Sequence, residues 1–275
     1  MNPIKTARVL IIALLAMKGG VGKTTCALGL ASAARARGKR VLFVDLDPQR
    51  NSTDSLVDAE FRKACLKARK RRDEPEALLD LLETDDPTRE EVLEIIRSGV
   101  GKWKGVDVLP ATRFLHTIER AGPDMVTKLR EILALVADLY DVIVIDTRPA
   151  FGMLTTMAVY AANVALVVAE PKKYGLSGLV DTWDQLTRLK EAGLPDLRRA
   201  AVIGNQYDAR QIEDRERMEQ ITKRFKPVMW EEILADRTVV SLANNADTPI
   251  HDYQDPRVPE STKTLDAWLD RAEAA

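Results

Sequence analysis

A glycine-rich run that carries two lysines and ends in two threonines lies early in the 275-residue chain. Its members are Lys18, Gly19, Gly20, Val21, Gly22, Lys23, Thr24 and Thr25. The apolar residues 9–16 precede it, and a helical pattern over residues 24–37 follows it. In a glycine turn between a strand and a helix, backbone N–H groups point inward and the helix N-terminus adds positive potential. The run therefore predicts a loop that binds the phosphates of a nucleotide.

Several side chains of this loop have a predicted role. The glycines permit positive φ angles and close approach of the backbone to a phosphate. Lys23 is placed to reach the β and γ phosphates, and the Thr24 hydroxyl to bind Mg²⁺. We therefore expect ATP and Mg²⁺ as cofactors. The general pattern GxxxxGK[ST] has glycine at position 17, where this chain has Met17, so the loop departs from the generic motif.

Two further apolar runs end in aspartate. Asp45 and Asp47 follow residues 41–44, and Asp146 follows residues 142–145. The carboxyl ends of parallel strands meet at one edge of a sheet, where ligands bind. A carboxylate at this edge can hold Mg²⁺ directly or through water, and Asp146 is our predicted ligand. Asp47 and Asp146 also suit the simpler role of shaping the turn that ends each strand.

These motifs resemble those of the ParA/MinD ATPases. Residues 18–25 resemble the family's deviant Walker A loop, which has a second lysine near its start and often lacks glycine at the position of Met17. Residues 45–49 resemble its DxDPQ motif, and residues 140–147 its Walker B strand. The resemblance runs from about residue 9 to residue 253 and is weakest over residues 58–103. Arg148 stands where the family usually has proline, and its effect on hydrolysis or on an interface is left open.

The resemblance implies a homodimer that encloses two ATP molecules. Lys18 would reach the phosphates bound by the partner, and Lys23 and Asp47 would complete the catalytic set. Asp47 would position the attacking water and would join Thr24 and Asp146 around the metal. Asn205, at a strand end, would contact the adenine. The simpler alternatives are a solvated lysine for Lys18 and a buried residue that caps a turn for Asn205.

The function implied is that of a small partition ATPase without an N-terminal helix-turn-helix domain. Such a protein would hydrolyse ATP slowly, bind DNA without sequence preference and respond to a ParB-like partner. We expect it in the cytoplasm, on the nucleoid when ATP is bound. Three alternatives stay open: a positioning ATPase for a protein cargo, a P-loop ligase or synthetase, and a dimer switch with almost no turnover.

Charge alone does not indicate a nucleic-acid partner. The 41 basic residues are matched by 42 acidic ones, although residues 58–75 carry a basic run. That run is either a solvated helix face or a contact with DNA phosphates. The candidate DNA contacts are Lys70, Arg71, Arg72, Arg215, Arg217, Lys223 and Arg224. The end of the chain is too acidic to lie well on anionic lipid, so no membrane partner is expected.

The arrangement of elements that would position these residues is an α/β fold. Apolar β-branched runs alternate with helical patterns, which is typical of a mainly parallel twisted sheet covered by helices on both faces. The expected strands are residues 9–16, 40–44, 106–109, 142–145, 164–169 and 201–204. The expected helices are residues 24–37, 117–138, 176–192, 212–225 and 262–273. We expect one P-loop domain over residues 1–275, with residues 58–103 a variable, partly basic segment.

Overall fold

The computed structural model describes residues 9–193, 197–235 and 238–275. Within these ranges the strands are β1 Leu10–Leu15, β2 Val41–Leu46, β3 Arg97–Ser98, β4 Val106–Leu109, β5 Val142–Thr147, β6 Val164–Ala169, β7 Arg199–Tyr207 and β8 Met229–Ala235. The α-helices are α1 Lys23–Ala36, α2 Asn51–Leu56, α3 Ala59–Lys67, α4 Leu78–Glu83, α5 Arg89–Ile95, α6 Lys128–Ala134, α7 Met153–Ala161, α8 Gly175–Glu191, α9 Ile212–Phe225, α10 Thr238–Asn245 and α11 Val258–Glu273. The predicted strands and most of the predicted helices are therefore present.

The strands form one sheet in the order β3-β4-β2-β5-β1-β6-β7-β8. Neighbouring strands are parallel, except that the short edge strand β3 runs antiparallel to β4. Alternate side chains of β1 enter two cores: Ile12 and Leu14 pack on the side of α1 and α11, and Ala13 and Leu15 on the side of α6 and α7. The predicted α/β fold, with helices on both faces of a mainly parallel sheet, is confirmed.

The prediction of a single helix over residues 117–138 is wrong. The chain instead forms 3₁₀ turns over Arg113–Arg120 and Pro123–Thr127, then α6, then a further 3₁₀ turn over Ala137–Leu139. Proline lacks the N–H that a continuous helix needs, and it disfavours helical backbone in the residue before it. Accordingly Gly122 is extended, with ψ 167°. The apolar periodicity is genuine, but it belongs to shorter pieces.

Other differences from the expected elements lie at helix starts, where local capping decides the first residue. Residues 58–103 fold into α3, α4, α5 and β3, and α3 starts where Asp58 accepts a hydrogen bond from the Phe61 N–H at 2.8 Å. The last helix begins at Val258 rather than at residue 262, because Pro259 is tolerated in a first turn that needs no N–H. None of the described helices is both long and apolar enough to cross a bilayer.

Candidate nucleotide-binding site

The glycine-rich loop connects β1 to α1 in a conformation that its glycines make accessible. Gly20 and Gly22 have φ angles of 83° and 84°, which side chains rarely adopt. Gly22 also has no room for a side chain, since a Cβ built there would lie 2.2 Å from Asn205 Nδ2. The helix then starts directly, with the Cys26 N–H bonded to the Gly22 carbonyl at 2.9 Å. The loop therefore presents the N-terminus of α1, as an anion site requires.

Two other elements hold this loop from outside. At the end of β7, Asn205 Nδ2 donates to the Val21 carbonyl at 2.8 Å and Gln206 Nε2 donates to the Gly20 carbonyl at 2.9 Å. From α8, Thr182 Oγ1 accepts the Met17 N–H at 3.0 Å. Sequence reasoning missed Gln206 and Thr182, because nothing local marks a contact between such distant parts of the chain. Asn205 lies behind the loop, and its contact with a base stays a prediction.

The carboxylates of the two aspartate motifs lie side by side. In the β2–β5 register Asp45 is directly opposite Asp146, and both are buried. Asp45 is fully engaged, because it accepts the Thr53 N–H and hydroxyl at 2.9 and 2.7 Å and the Asp47 N–H at 2.9 Å. Burial is the main cause of the raised pKa of Asp45. Asp45 therefore acts as a structural residue that shapes the loop after β2.

Asp146 keeps a free oxygen for a ligand. Its Oδ2 accepts a bond from Ser52 Oγ at 3.3 Å, whereas its buried Oδ1 has no hydrogen-bond partner. Burial first, and then repulsion from Asp45, raise the pKa of Asp146 to about 7. The nearby Thr24 side chain opposes this rise in the pKa of Asp146. An unpartnered carboxylate oxygen beside a hydroxyl suits a hard divalent cation, so Thr24 and Asp146 fit the predicted Mg²⁺ site.

Lys23 faces the same place. Its side chain is buried, and burial lowers its pKa while the charges of Asp146 and Asp47 oppose that change. A buried lysine between carboxylates at the loop is placed to meet phosphate oxygens, as the motif predicts. Asp47 is half-buried and its Oδ1 accepts the Gln49 N–H at 2.9 Å. Asp47 therefore does shape the strand-end turn, and its role toward water or metal stays a prediction.

Lys18 has a different environment from Lys23. Its ammonium group pairs with the carboxylate of Glu170, and the two side chains are 33% and 6% exposed. Glu170 directly follows β6, and the adjacent Gly178 of α8 leaves space for the lysine stem. Sequence reasoning missed Glu170, although a charged residue that ends the apolar strand VALVVA was an available signal. Lys18 therefore lies apart from the group formed by Lys23, Asp47 and Asp146, and its ammonium group is paired rather than freely solvated.

The candidate DNA contacts fall into two groups at opposite ends of the sheet. Lys70, Arg71 and Arg72 lie on the β4 side, because Arg71 pairs with Asp80 of α4 and the Leu78 N–H of α4 is bonded to the Pro110 carbonyl directly after β4. The others lie on α9, which packs on β7. Arg71 already pairs with Asp80 at 2.7 Å, and Arg217 pairs with Glu213 at 2.8 Å. The more exposed members of the two groups are Lys70, Arg72, Arg215, Lys223 and Arg224.

Comparison with known proteins identifies the family of this chain. Residues 9–198 match the family described as AAA domain (AAA_31). The chain is 30% identical over 270 residues to the sporulation initiation inhibitor protein Soj of Bacillus subtilis, covering 95% of this chain and 96% of that protein. It is 34% identical over 228 residues to the chromosome-partitioning ATPase Soj of Thermus thermophilus, covering 82% and 80%.

A solved structure supports the same fold. The complex of a Cyanothece McdA variant with ATP superimposes with a TM-score of 0.80 at 18% identity, covering 97% of each chain. The fold and the phosphate loop define a P-loop ATPase. Within that class the chain belongs to the ParA/MinD-type ATPases, as the motifs predicted.

Proposed function

We propose that this chain is a single-domain partition ATPase that dimerises on ATP and binds DNA without sequence preference. The main observation in support of this proposal is that the two lysines of the loop have different surroundings. Lys23 is buried toward Asp146, whereas Lys18 is paired with Glu170 outside that pocket. Because Lys18 does not face the Asp146 carboxylate of its own chain, its charge is available for a nucleotide bound by a second protomer, which supports the proposed dimer. The relationship to the Thermus thermophilus chromosome-partitioning ATPase supports partition as the process.

The proposed reaction uses the residues as follows. The loop amides and Lys23 bind the β and γ phosphates of ATP. Thr24 and Asp146, with Asp47 nearby, would hold Mg²⁺, which screens the phosphate charge. Asp47 orients the attacking water, and Lys18 from the second protomer stabilises the charge that develops on the transferred phosphoryl group. Turnover is slow until a partner protein promotes that arrangement.

Partition requires that the ATP-bound dimer also binds DNA. The exposed basic side chains at the two ends of the sheet supply candidate phosphate contacts, which carry no sequence information. A dimer doubles the number of such contacts, which explains why ATP would control DNA binding. We place the protein in the cytoplasm, on the nucleoid in its ATP-bound state, with a ParB-like protein as the stimulating partner.

The test is ATPase activity measured with DNA and a candidate partner, separately and together. We expect low basal turnover and the largest rate with both present. ATP-dependent DNA pull-down at low salt should succeed for the wild type and fail for Lys23→Ala. Absence of DNA binding even at low salt would remove the DNA part of the proposal, because phosphate contacts strengthen as salt falls. Stimulation by a small-molecule acceptor instead would favour a synthetase.

A further inference from the structure

The loop of residues 148–152 lies next to the phosphate loop. It leaves β5 after Thr147, whose Oγ1 donates to the Leu14 carbonyl at 2.6 Å, and it enters α7 at Met153. A Cβ built on Gly19 would lie 3.9 Å from Pro149 Cβ and Cγ, so the two loops approach within van der Waals range. The position of this loop therefore affects the space beside Lys18 and Gly19.

Glu119 binds both ends of this loop with one carboxylate. Its Oε1 lies 3.2 Å from Arg148 Nη1 in an ion pair, and its Oε2 accepts the Met153 N–H at 2.8 Å. The Glu119 side chain is only 18% exposed, which strengthens both contacts relative to a surface pair. The structure also keeps space for it, because a Cβ built on Gly152 would lie 1.9 Å from Oε2.

Two further hydrogen bonds of the loop are local, whereas Phe151 packs against the core on the α6 and α7 side of the sheet. The Ala150 N–H is bonded to the Arg148 carbonyl at 2.9 Å, and Thr155 Oγ1 donates to the Ala150 carbonyl at 2.6 Å. These bonds shape the loop and its junction with α7. Glu119 belongs to the separate 3₁₀ stretch Arg113–Arg120, so its two contacts fix the loop relative to another part of the protein.

We propose that Glu119 is a positioning residue for ATP hydrolysis, which acts by holding residues 148–152 against the phosphate loop. The inference rests on the proposed function, since it assigns a role in that reaction. In this proposal Arg148 forms the ion pair with Glu119 that holds one end of the loop within the same chain. Glu119 acts through its contacts with Arg148 and Met153, at the two ends of the loop. Their effect is on the geometry in which the nucleotide and water meet, so it should appear in kcat more than in ATP binding.

The test compares kcat and KM for ATP in single variants. Glu119→Ala should lower kcat about tenfold while KM stays within about twofold of the wild type, because Lys23 and the loop amides still bind the nucleotide. Glu119→Gln keeps an acceptor for the Met153 N–H and should recover part of the loss. Arg89→Ala is the matched control, because it removes an ion pair with Asp138 at 2.6 Å, distant from the loop.

Gly152→Ala tests the same contact without removing Glu119. The added methyl displaces the carboxylate, so kcat should fall as in Glu119→Ala, and the double variant should be no worse than Glu119→Ala alone. Hydrogen exchange at the Met153 amide should be faster in every variant that loses the contact. Faster exchange at Met153 with unchanged kcat would overturn the inference, as would an equal loss in Arg89→Ala. A wild type that hydrolyses no ATP with DNA and partner present would instead overturn the proposed function.

Discussion

Lys18 and Glu170 form an ion pair that joins the phosphate loop to the end of β6. The carboxylate is nearly buried, so it has little water to replace the lysine as its partner. A Lys18 side chain that reaches across to a second protomer must first leave Glu170. Under the proposed function, the pair would therefore stabilise the separate protomer and oppose formation of the ATP-bound dimer.

Glu170→Gln should favour the dimer. The neutral amide keeps the shape of the side chain but removes the charge that retains Lys18. Since a partly exposed ion pair contributes up to about 1 kcal/mol, and two are broken per dimer, we expect the dimer Kd with ATP to fall by up to about thirtyfold. Sedimentation velocity over a range of protein concentrations measures it. Unchanged or weaker dimerisation would show that Glu170 does not compete for Lys18.

The two loop lysines should separate binding from turnover. Lys23→Ala removes the buried ammonium beside the phosphates, and we expect ATP affinity to fall at least about tenfold. Lys18→Ala should change ATP affinity of the protomer less than about threefold, yet abolish dimerisation and stimulated hydrolysis. Equilibrium binding of a fluorescent ATP analogue and steady-state ATPase rates check both. Equal loss of affinity in both variants would contradict the proposed division of roles.

Gly22→Ala and Gly38→Ala form a matched pair of backbone variants. Both glycines have positive φ, 84° and 70°, but only Gly22 faces a side chain, Asn205. Gly38→Ala should cost about 1 kcal/mol in unfolding free energy and leave ATP binding intact. Gly22→Ala adds a collision with Asn205 and should abolish ATP binding. Urea unfolding and ATP titration measure the two effects, and an ATP affinity of Gly22→Ala equal to that of Gly38→Ala would contradict this account.

The central part of the site was predictable because its signals are local in the chain. A strand, a glycine turn and a helix in direct succession identify the phosphate loop, and an apolar run that ends in aspartate identifies Asp146. The residues that support the loop gave no such signal. Glu170 and Thr182 lie 152 and 165 residues from the residues that they contact. The β6–β1 pairing, with α8 packed on β6, brings them there.

The prediction of one helix over residues 117–138 failed because the pattern of apolar residues does not show where a helix is interrupted. The spacing of apolar residues predicts which side chains are buried. It does not show that they lie on one continuous helix, and Gly122 and Pro123 interrupt the helix here. That break has a structural consequence, because Glu119 lies in the short 3₁₀ stretch before it. A continuous helix from residue 117 would have given no reason to place Glu119 at the loop after β5.

Acidification should weaken the packing of α1 through His251. The Nδ1 atom of His251 lies 2.7 Å from the buried Ser32 hydroxyl of α1, and burial lowers its pKa despite the nearby Asp266. The unfolded chain therefore binds a proton more readily, so stability falls as pH drops below about 6.5. His251→Asn keeps a polar group near Ser32 and should reduce this pH dependence. Urea unfolding on both sides of that pH, for both proteins, measures the difference. Equal pH dependence in the two would contradict the role of His251.

Asn205→Ala distinguishes support of the loop from recognition of the base. The side chain donates to the Val21 carbonyl and is 3% exposed, so its loss should cost about 1–2 kcal/mol in unfolding free energy. Gln206→Ala is the matched control: it removes the similar bond to Gly20 from an exposed position and should cost less.

Nucleotide preference then decides the role of Asn205. If the residue only supports the loop, Asn205→Ala weakens ATP and GTP binding by the same factor, because both nucleotides present the same phosphates. If Asn205 contacts the adenine, Asn205→Ala weakens ATP binding more than GTP binding, so the preference of this variant for ATP falls. The preference of Gln206→Ala for ATP should then stay that of the wild type. Titration of each variant with both nucleotides gives the two ratios. Since one N–H of the Asn205 amide is already bonded to the Val21 carbonyl, a change in preference requires that its second N–H or its oxygen reaches the base.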